Sequence, residues 1–222
     1  MELLNLYLES LPKKRSFHSE GRYSVWDEFI NSDAHQISIV AGRQTGKTTA
    51  ILRRAIMRKD KTVYIGVATG VSLDLHQQMI ECLADEMDMD WSCYKRSRFD
   101  IRYQINDHEI RLTKIYWIRN HIQGIRNCEI IMEDPEYELD NINTDYEFLE
   151  DLLRYNSVAL VGTYKNYQLS AAKIFHERAS CRHDAYTKKI TTLGEIIGRD
   201  VIAMLECDYD DYFFKKYGCV RV

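Results

Sequence analysis

The stretch "AGRQTGKTTAIL" (residues 41–52) carries the residue types that hold a polyphosphate. Ala41, Gly46, Lys47 and Thr48 stand at the spacing Ala/Gly-x-x-x-x-Gly-Lys-Ser/Thr, the P-loop pattern. Each type has a physical reason. A small residue at 41 followed by Gly42 lets the chain turn sharply, and Gly46 lets backbone N–H groups approach the phosphates. The helix expected after the loop turns its positive end toward the same anion. Lys47 would reach the β- and γ-phosphates, and Thr48 would offer its hydroxyl to Mg²⁺. Gln44, Thr45 and Thr49 complete the candidate nucleotide contacts. The context fits as well. "HQISIVA" before the loop reads as a strand, and residues 47–58 lack Gly and Pro and carry apolar residues on one helical face.

A phosphate-binding loop needs carboxylates at the end of another strand to hold Mg²⁺ and to polarise an attacking water. "EIIMEDPEYE" (129–138) is the candidate. Its apolar residues lead into Glu133, Asp134, Pro135 and Glu136. Pro135 ends the strand and leaves the acids at its carboxyl edge, where open α/β sheets place their ligands. Two registers are open. In one, Glu133 joins Thr48 in the metal shell and Asp134 orients water. In the other, Asp134 holds the metal and Glu136 acts as base. The adjacent Glu-Asp pair favours the first.

The elements that must position these groups are legible in outline. "KTVYIGVAT" (61–69) reads as a buried strand. In "VSLDLHQQMIECLADEM" (71–87), Val71, Leu75, Met79 and Cys82 recur at helical spacing, with Leu83 widening the stripe and Gln77 and Gln78 expected at the solvent face. Residues 101–118 read as two strands around an "NDHE" turn, and "YKRSR" (94–98) as an exposed connector. "TDYEFLEDLLRYN" (144–156) opens on a Thr144–Glu147 capping box and predicts a helix. "SVALVGTY" (157–164) reads as a strand. A helix over 169–179, a polar loop, and helices near 193–206 and 208–217 follow. Strands alternating with helices predict an α/β fold with a mostly parallel central sheet covered by helices on both faces. A strand, a helix and a hairpin separate the loop from the acids. The acid strand is therefore not expected to follow the P-loop strand directly, which suits the RecA/ASCE-like P-loop group with its extra central strand.

Composition sets limits. The 222 residues suffice for one well-buried domain, and two prolines leave little room for a long disordered linker. No apolar run is long enough to span a membrane, so no membrane partner is expected. "MELLNLYLES" lacks the positive start and apolar core of a signal peptide, which predicts a cytoplasmic rather than secreted protein. The six cysteines are scattered without a C-x-x-C pair and predict buried, reduced thiols; "CRH" (181–183) is too short to mark a metal site. A net charge of −4 argues against a dedicated tight DNA binder but not against a transient grip through a local basic patch. "KKR" (13–15), "RRAIMRKDK" (53–61) and "YKRSR" are the basic runs, the last interleaved with Trp91 and Phe99.

On three motifs the chain resembles the N-terminal ATPase domain of tailed-phage terminase large subunits. "GRQTGKTT" resembles that family's P-loop. "IQGIRNCEIIMEDPE" (122–136) resembles its acid-bearing strand, and "ALVGTYKN" (159–166) its coupling motif. The resemblance covers about residues 36–166. It implies that Arg43 senses or stabilises the γ-phosphate, and that Thr163, with Gly162, couples hydrolysis to movement. It further implies ATP and Mg²⁺ as cofactors, duplex DNA as the translocated substrate, a portal on a prohead and a small terminase subunit as partners, a homo-oligomeric ring, and the cytoplasm of an infected host cell. Residues 1–35 then form an N-terminal helical segment, 36–166 the ATPase core, and 167–222 a helical link. Two departures stand out. Glu-Asp replaces the family's usual order, and nothing after residue 166 offers the acids of the nuclease half; "ECDYDD" (206–211) reads as a solvated helix face. The rival readings are a helicase or translocase motor domain, a non-motor ATP-binding regulator and, with least support, a small-molecule kinase.

Overall fold

The computed structural model describes residues 24–41, 45–69, 73–163 and 170–190. Gly42, Arg43, Gln44, the "KKR" run, "ECDYDD" and the helices expected beyond 190 lie outside the described residues.

Helix α1 (Ser24–Asn31) precedes strand β1 (Gln36–Ala41), and the loop leads into helix α2 (Lys47–Met57). Strand β2 (Val63–Val67) and helix α3 (Leu73–Glu86) follow. A meander of β3 (Trp91–Arg96), β4 (Asp100–Ile105) and β5 (His108–Lys114) ends in helix α4 (Ile115–Asn120). Strand β6 (Glu129–Glu133) carries the acids, and α5 (Ile142–Leu153), β7 (Ser157–Thr163), α6 (Ala171–Ala179) and β8 (Ala185–Ile190) follow as the last described elements. All strands join one sheet in the order β3-β4-β5-β2-β6-β7-β1-β8. Every pairing from β5 to β8 is parallel; β3–β4 and β4–β5 are antiparallel. Strand β7 lies between the acid strand β6 and the P-loop strand β1, the extra central strand that the motif spacing predicts.

Alternation along the strands builds two cores. Ile37, Ile39, Val63, Ile65, Ile131 and Val161 face α1, α2 and α3. Tyr64, Ile130, Met132, Val158 and Leu160 face α4, α5 and α6. Burial on both sides explains why these strands read as near-continuous apolar runs. A Cβ on Gly66 of β2 would meet Ile118 Cδ1 at 2.9 Å, so the glycine lets α4 pack directly onto the sheet. Residues 115–118, strand-like by composition, are helical, so the second strand of the expected hairpin stops at Lys114.

Further expectations are corrected. In α3 the inward face is Leu73, His76, Gln77, Ile80, Leu83 and Ala84; Gln77 is buried, while Leu75 and Cys82 are exposed and Met79 half-buried. The helix is rotated from its apolar stripe, which brings His76 of its first turn onto Glu133 at the end of β6. "YKRSR" is not wholly a connector, since Trp91–Arg96 is an edge strand. The polar loop expected after α6 contains β8, which pairs parallel with β1. Both edge strands carry lysines and are largely exposed or half-exposed, so they lack the apolar signal of central strands. Helix α5 starts earlier than the capping box indicates. Asn141 is its N-cap and accepts from the backbone N–H groups of Asn143 and Thr144. The described cysteines are free, as expected, but of them only Cys128 is buried. Among the described residues no helix is long and apolar enough to cross a membrane.

Candidate functional site

The parallel strands β1, β7 and β6 end side by side. Their register sets Ala41 opposite Thr163, Val40 opposite Gly162, and Glu133 opposite Val161. The start of the candidate phosphate-binding loop, the Gly-Thr pair and the acids therefore share one edge of the sheet. The loop enters α2 through Gly46, whose φ of 82° lies in the left-handed region that glycine adopts without strain. Trp26 of α1 donates its indole N–H to the Thr45 carbonyl at 2.8 Å, in a buried contact. This tether fixes the last turn of the loop to the core.

Glu129, Ile131 and Glu133 alternate onto the face of β6 that α2 covers. The helix runs so that its first turn meets Glu133. Thr48 donates its hydroxyl to Glu133 Oε1 at 2.5 Å. Lys47, 6% exposed, places Nζ 2.9 Å from Asp134 Oδ1. Asp134 has φ 46° and ψ 50°, a left-handed conformation that aspartate tolerates better than most residues. Its N–H still bonds the Val161 carbonyl at 2.8 Å, so the strand ladder continues to the turn. Pro135 then opens a short 3₁₀ segment through Tyr137, in which Glu136 is buried.

One partner of Glu133 has no counterpart in the sequence motifs. His76 of α3, 2% exposed, lies with Nε2 2.5 Å from Glu133 Oε2. An ionised carboxylate can only accept, so the imidazole donates. Burial by itself raises the Glu133 carboxyl. The hydrogen bond and charge of His76, the Thr48 hydroxyl and the Lys47 charge outweigh it and hold the group below its ordinary value. Glu133 is therefore an anion gripped at both oxygens.

The structure thus brings together Lys47, Thr48, Glu133 and Asp134. Thr45 is buried beneath Trp26, and Thr49 faces α3, lining a small apolar groove with Leu75, Met79 and Cys82. Arg43, Gly42 and Gln44 are outside the described residues, and for Thr163 only the strand register is described. Sequence reasoning missed His76 and the tether from Trp26. The only signal for His76 is a polar pair, His-Gln, interrupting the inward face of the helix after β2.

Among the described residues no cluster of three or more His, Cys, Asp or Glu side chains could hold a metal by itself. Mg²⁺ does not require one. It keeps several waters and takes one or two protein oxygens together with nucleotide phosphates. A hydroxyl and an anionic carboxylate 2.5 Å apart, at the N-terminus of the loop helix, fit that donor set.

A second feature occupies the same edge of the sheet. A cavity of about 590 Å³ opens beside the end of β2, lined among others by Asp74, Arg96, Arg98, Phe99, Lys114 and Tyr116. Asp100 pairs with Lys95 and Arg102 at 2.7 and 2.9 Å. Arg96 and Arg98 are exposed and have no acidic partner among the described residues. Phe99 and Tyr116 meet edge to face, and Arg98 stacks over the Phe99 ring. Lys114 donates to the Ala68 and Thr69 carbonyls; burial lowers its ammonium below the ordinary lysine value, against the influence of Glu138.

No protein-family profile matches the sequence, and no curated protein sequence matches it. Solved structures do. The large terminase from a thermophilic bacteriophage superposes with a TM-score of 0.60 at 10% identity, over 88% of this chain and 51% of that one. The chain thus spans about half the length of that terminase. The same phage protein has been solved with ADP and with ATP-γ-S. The ATPase domain of the Thermus phage P74-26 large terminase matches with a TM-score of 0.51 at 15% identity, over 85% of this chain and 89% of that domain. The bacteriophage HK97 large terminase gives a TM-score of 0.54 at 9% identity, over 82% of this chain and 46% of that one. The chain has the P-loop fold of these ATPase domains.

Proposed function

We propose that the chain is an Mg²⁺-dependent ATPase that drives duplex DNA into a prohead, the motor domain of a packaging terminase. The observation that carries the reading is the junction of Thr48, Lys47, Glu133 and Asp134 at one edge of a sheet with this fold. In this reading Thr48 and Glu133 would hold the metal, which would supply positive charge to neutralise the phosphates. Lys47 leaves Asp134 to contact the β- and γ-phosphates. Asp134, freed of its lysine, orients the attacking water and accepts its proton. The Thr48–Glu133 contact supports this register over the one in which Asp134 holds metal and Glu136 is the base. Arg43 is assigned to the γ-phosphate. Gly162 and Thr163, in register with the start of the loop, are assigned to coupling.

The DNA reading draws on the basic cavity. Arg96 and Arg98 flank aromatic rings at the nucleotide edge of the sheet, a combination that suits a phosphate backbone. Movement of DNA requires several sites in turn, so a ring of copies on a portal, loaded through a small subunit, is the proposed working state.

The test is steady-state ATP hydrolysis with and without linear duplex DNA, over a range of protein concentration. Turnover that rises with DNA and with concentration is expected, and Lys47→Ala should abolish it while leaving the fold intact. Normal hydrolysis by Lys47→Ala would overturn the site assignment. ATP binding without turnover, even with portal present, would point to a regulatory module. Arg96→Ala/Arg98→Ala should weaken DNA binding for all sequences alike and reduce the salt slope by about 1 for each phosphate that is no longer neutralised.

A further inference from the structure

We infer that His76 is a positioning residue for Glu133. It holds the carboxylate in the orientation in which Oε1 accepts from Thr48, the pair that would hold a nucleotide-bound metal in the proposed reading. The inference rests on the proposed ATPase reading and goes beyond it, since that reading gives His76 no role.

The geometry is specific. Glu133 ends a strand, has three rotatable side-chain bonds, and has an imidazole, a hydroxyl and the Lys47 ammonium within influence. Thr48 fixes one oxygen and His76 the other, each at 2.5 Å. Without the imidazole, Oε2 would be a buried anionic oxygen lacking a donor, a costly arrangement. The carboxylate would relieve it by swinging toward Lys47, which now pairs with Asp134 at 2.9 Å. That movement would withdraw Oε1 from Thr48 and occupy the lysine needed for phosphate. His76 therefore keeps the two acids on separate duties, Glu133 with Thr48 and Asp134 with Lys47.

Packing does not explain the residue. His76 is 2% exposed among Leu73, Ile80, Leu83 and Ala84 on the inward face of α3. Its Nδ1 has no hydrogen-bond partner among the described residues. An aliphatic side chain would fill the position without leaving a buried nitrogen unmatched. Among the described residues the histidine's one polar contact is with Glu133. Partners of this kind, behind a metal-binding carboxylate, typically change metal affinity or activity about 10–100-fold when removed.

The test compares His76→Leu, which keeps burial and loses the donor, with His76→Gln, which keeps a donor. Both are made in the full chain and checked for folding by thermal melting; His76→Met replaces the leucine variant should that fail to fold. Mn²⁺ binding in the presence of ADP is followed by electron paramagnetic resonance, and binding of a fluorescent ATP analogue is measured in EDTA. The expected result is Mn²⁺ affinity lowered about 10–100-fold in His76→Leu, largely restored in His76→Gln, with metal-free nucleotide binding unchanged. Wild-type Mn²⁺ affinity in His76→Leu overturns the inference. So does an equal loss in both variants, or a parallel loss of metal-free nucleotide binding, because either indicates a structural role. A wild-type protein that binds no nucleotide–metal complex overturns the ATPase reading itself, and with it this one.

Discussion

Strand β6 carries two buried glutamates on one face, and the fold treats them differently. Glu129, at the start of the strand, lies 2.5 Å from Arg54 Nε and 2.8 Å from Arg58 Nε. Arg54 is fully buried and also donates to the carbonyls of Phe29, Ile30 and Ser32. Arg58 reaches Asp33 as well. This carboxylate ties α1, α2 and β6 together with two permanent cations. Glu133, four residues on, has a hydroxyl and an imidazole as its hydrogen-bond partners. The nearest lysine is engaged by the neighbouring aspartate. One end of the strand is electrostatically closed. The other holds an anion with less fixed positive charge around it, which is what a site for a divalent cation requires. A buried carboxylate is thus no sign of function by itself; what it is paired with distinguishes the two.

Substitutions at the two ends of the strand should have opposite effects, largest at the chemical end. Glu133→Gln and Asp134→Asn should each lower turnover by about 10²–10⁴-fold while thermal melting stays near wild type. Glu136→Gln should lower it far less. A Glu136 variant more damaged than the Asp134 one would assign the base to Glu136 and the metal to Asp134. Glu129→Gln should reverse the pattern. It strands the buried Arg54 and should cost about 3–5 kcal/mol of stability, read by denaturant unfolding, with turnover per folded molecule preserved. The double variant Arg54→Met/Glu129→Leu should recover most of that loss, because breaking a buried pair costs more than replacing it. Arg58→Ala should cost only about 1 kcal/mol, since its guanidinium approaches the same carboxylate from the partly solvated side. If Glu129→Gln instead abolishes turnover in folded protein, the division of the strand into a structural and a chemical end fails.

Much of the fold was legible because the central strands are buried on both faces. "QISIVA", "VYIGV" and "SVALVGT" carry their own apolar signal. The edge strands β3 and β8 do not, because an edge is half in water and its side chains are chosen partly for solubility. The orientation of α3 departs from its apolar stripe. Leu75 and Met79 outline an apolar stripe, yet the helix buries His76 and Gln77, and His76 meets the carboxylate at the end of β6. Helix α5 was placed correctly but capped by Asn141 rather than Thr144, as the local signals for the two starts are similar and chain entry decided between them. In the site, Lys47, Thr48, Glu133 and Asp134 were all named from sequence, whereas His76, which touches Glu133, was not.

What the sequence determined by itself is local chemistry. A glycine that can take φ 82°, a lysine and a hydroxyl next to it, and a strand that ends in acids before a proline are properties of short stretches, fixed by backbone sterics and side-chain type. What only the tertiary structure decided is which acid meets which partner. Glu133 reaches Thr48 because β7 inserts between β6 and β1 and α2 crosses the face of β6 on which Glu133 points. Asp134 reaches Lys47 because the strand turns through a left-handed residue at that point. His76 reaches Glu133 because α3 is rotated onto the acid edge. Those contacts span 85, 87 and 57 positions of chain. No local pattern encodes a distance of that kind; it follows from the order of strands in the sheet and the register between them.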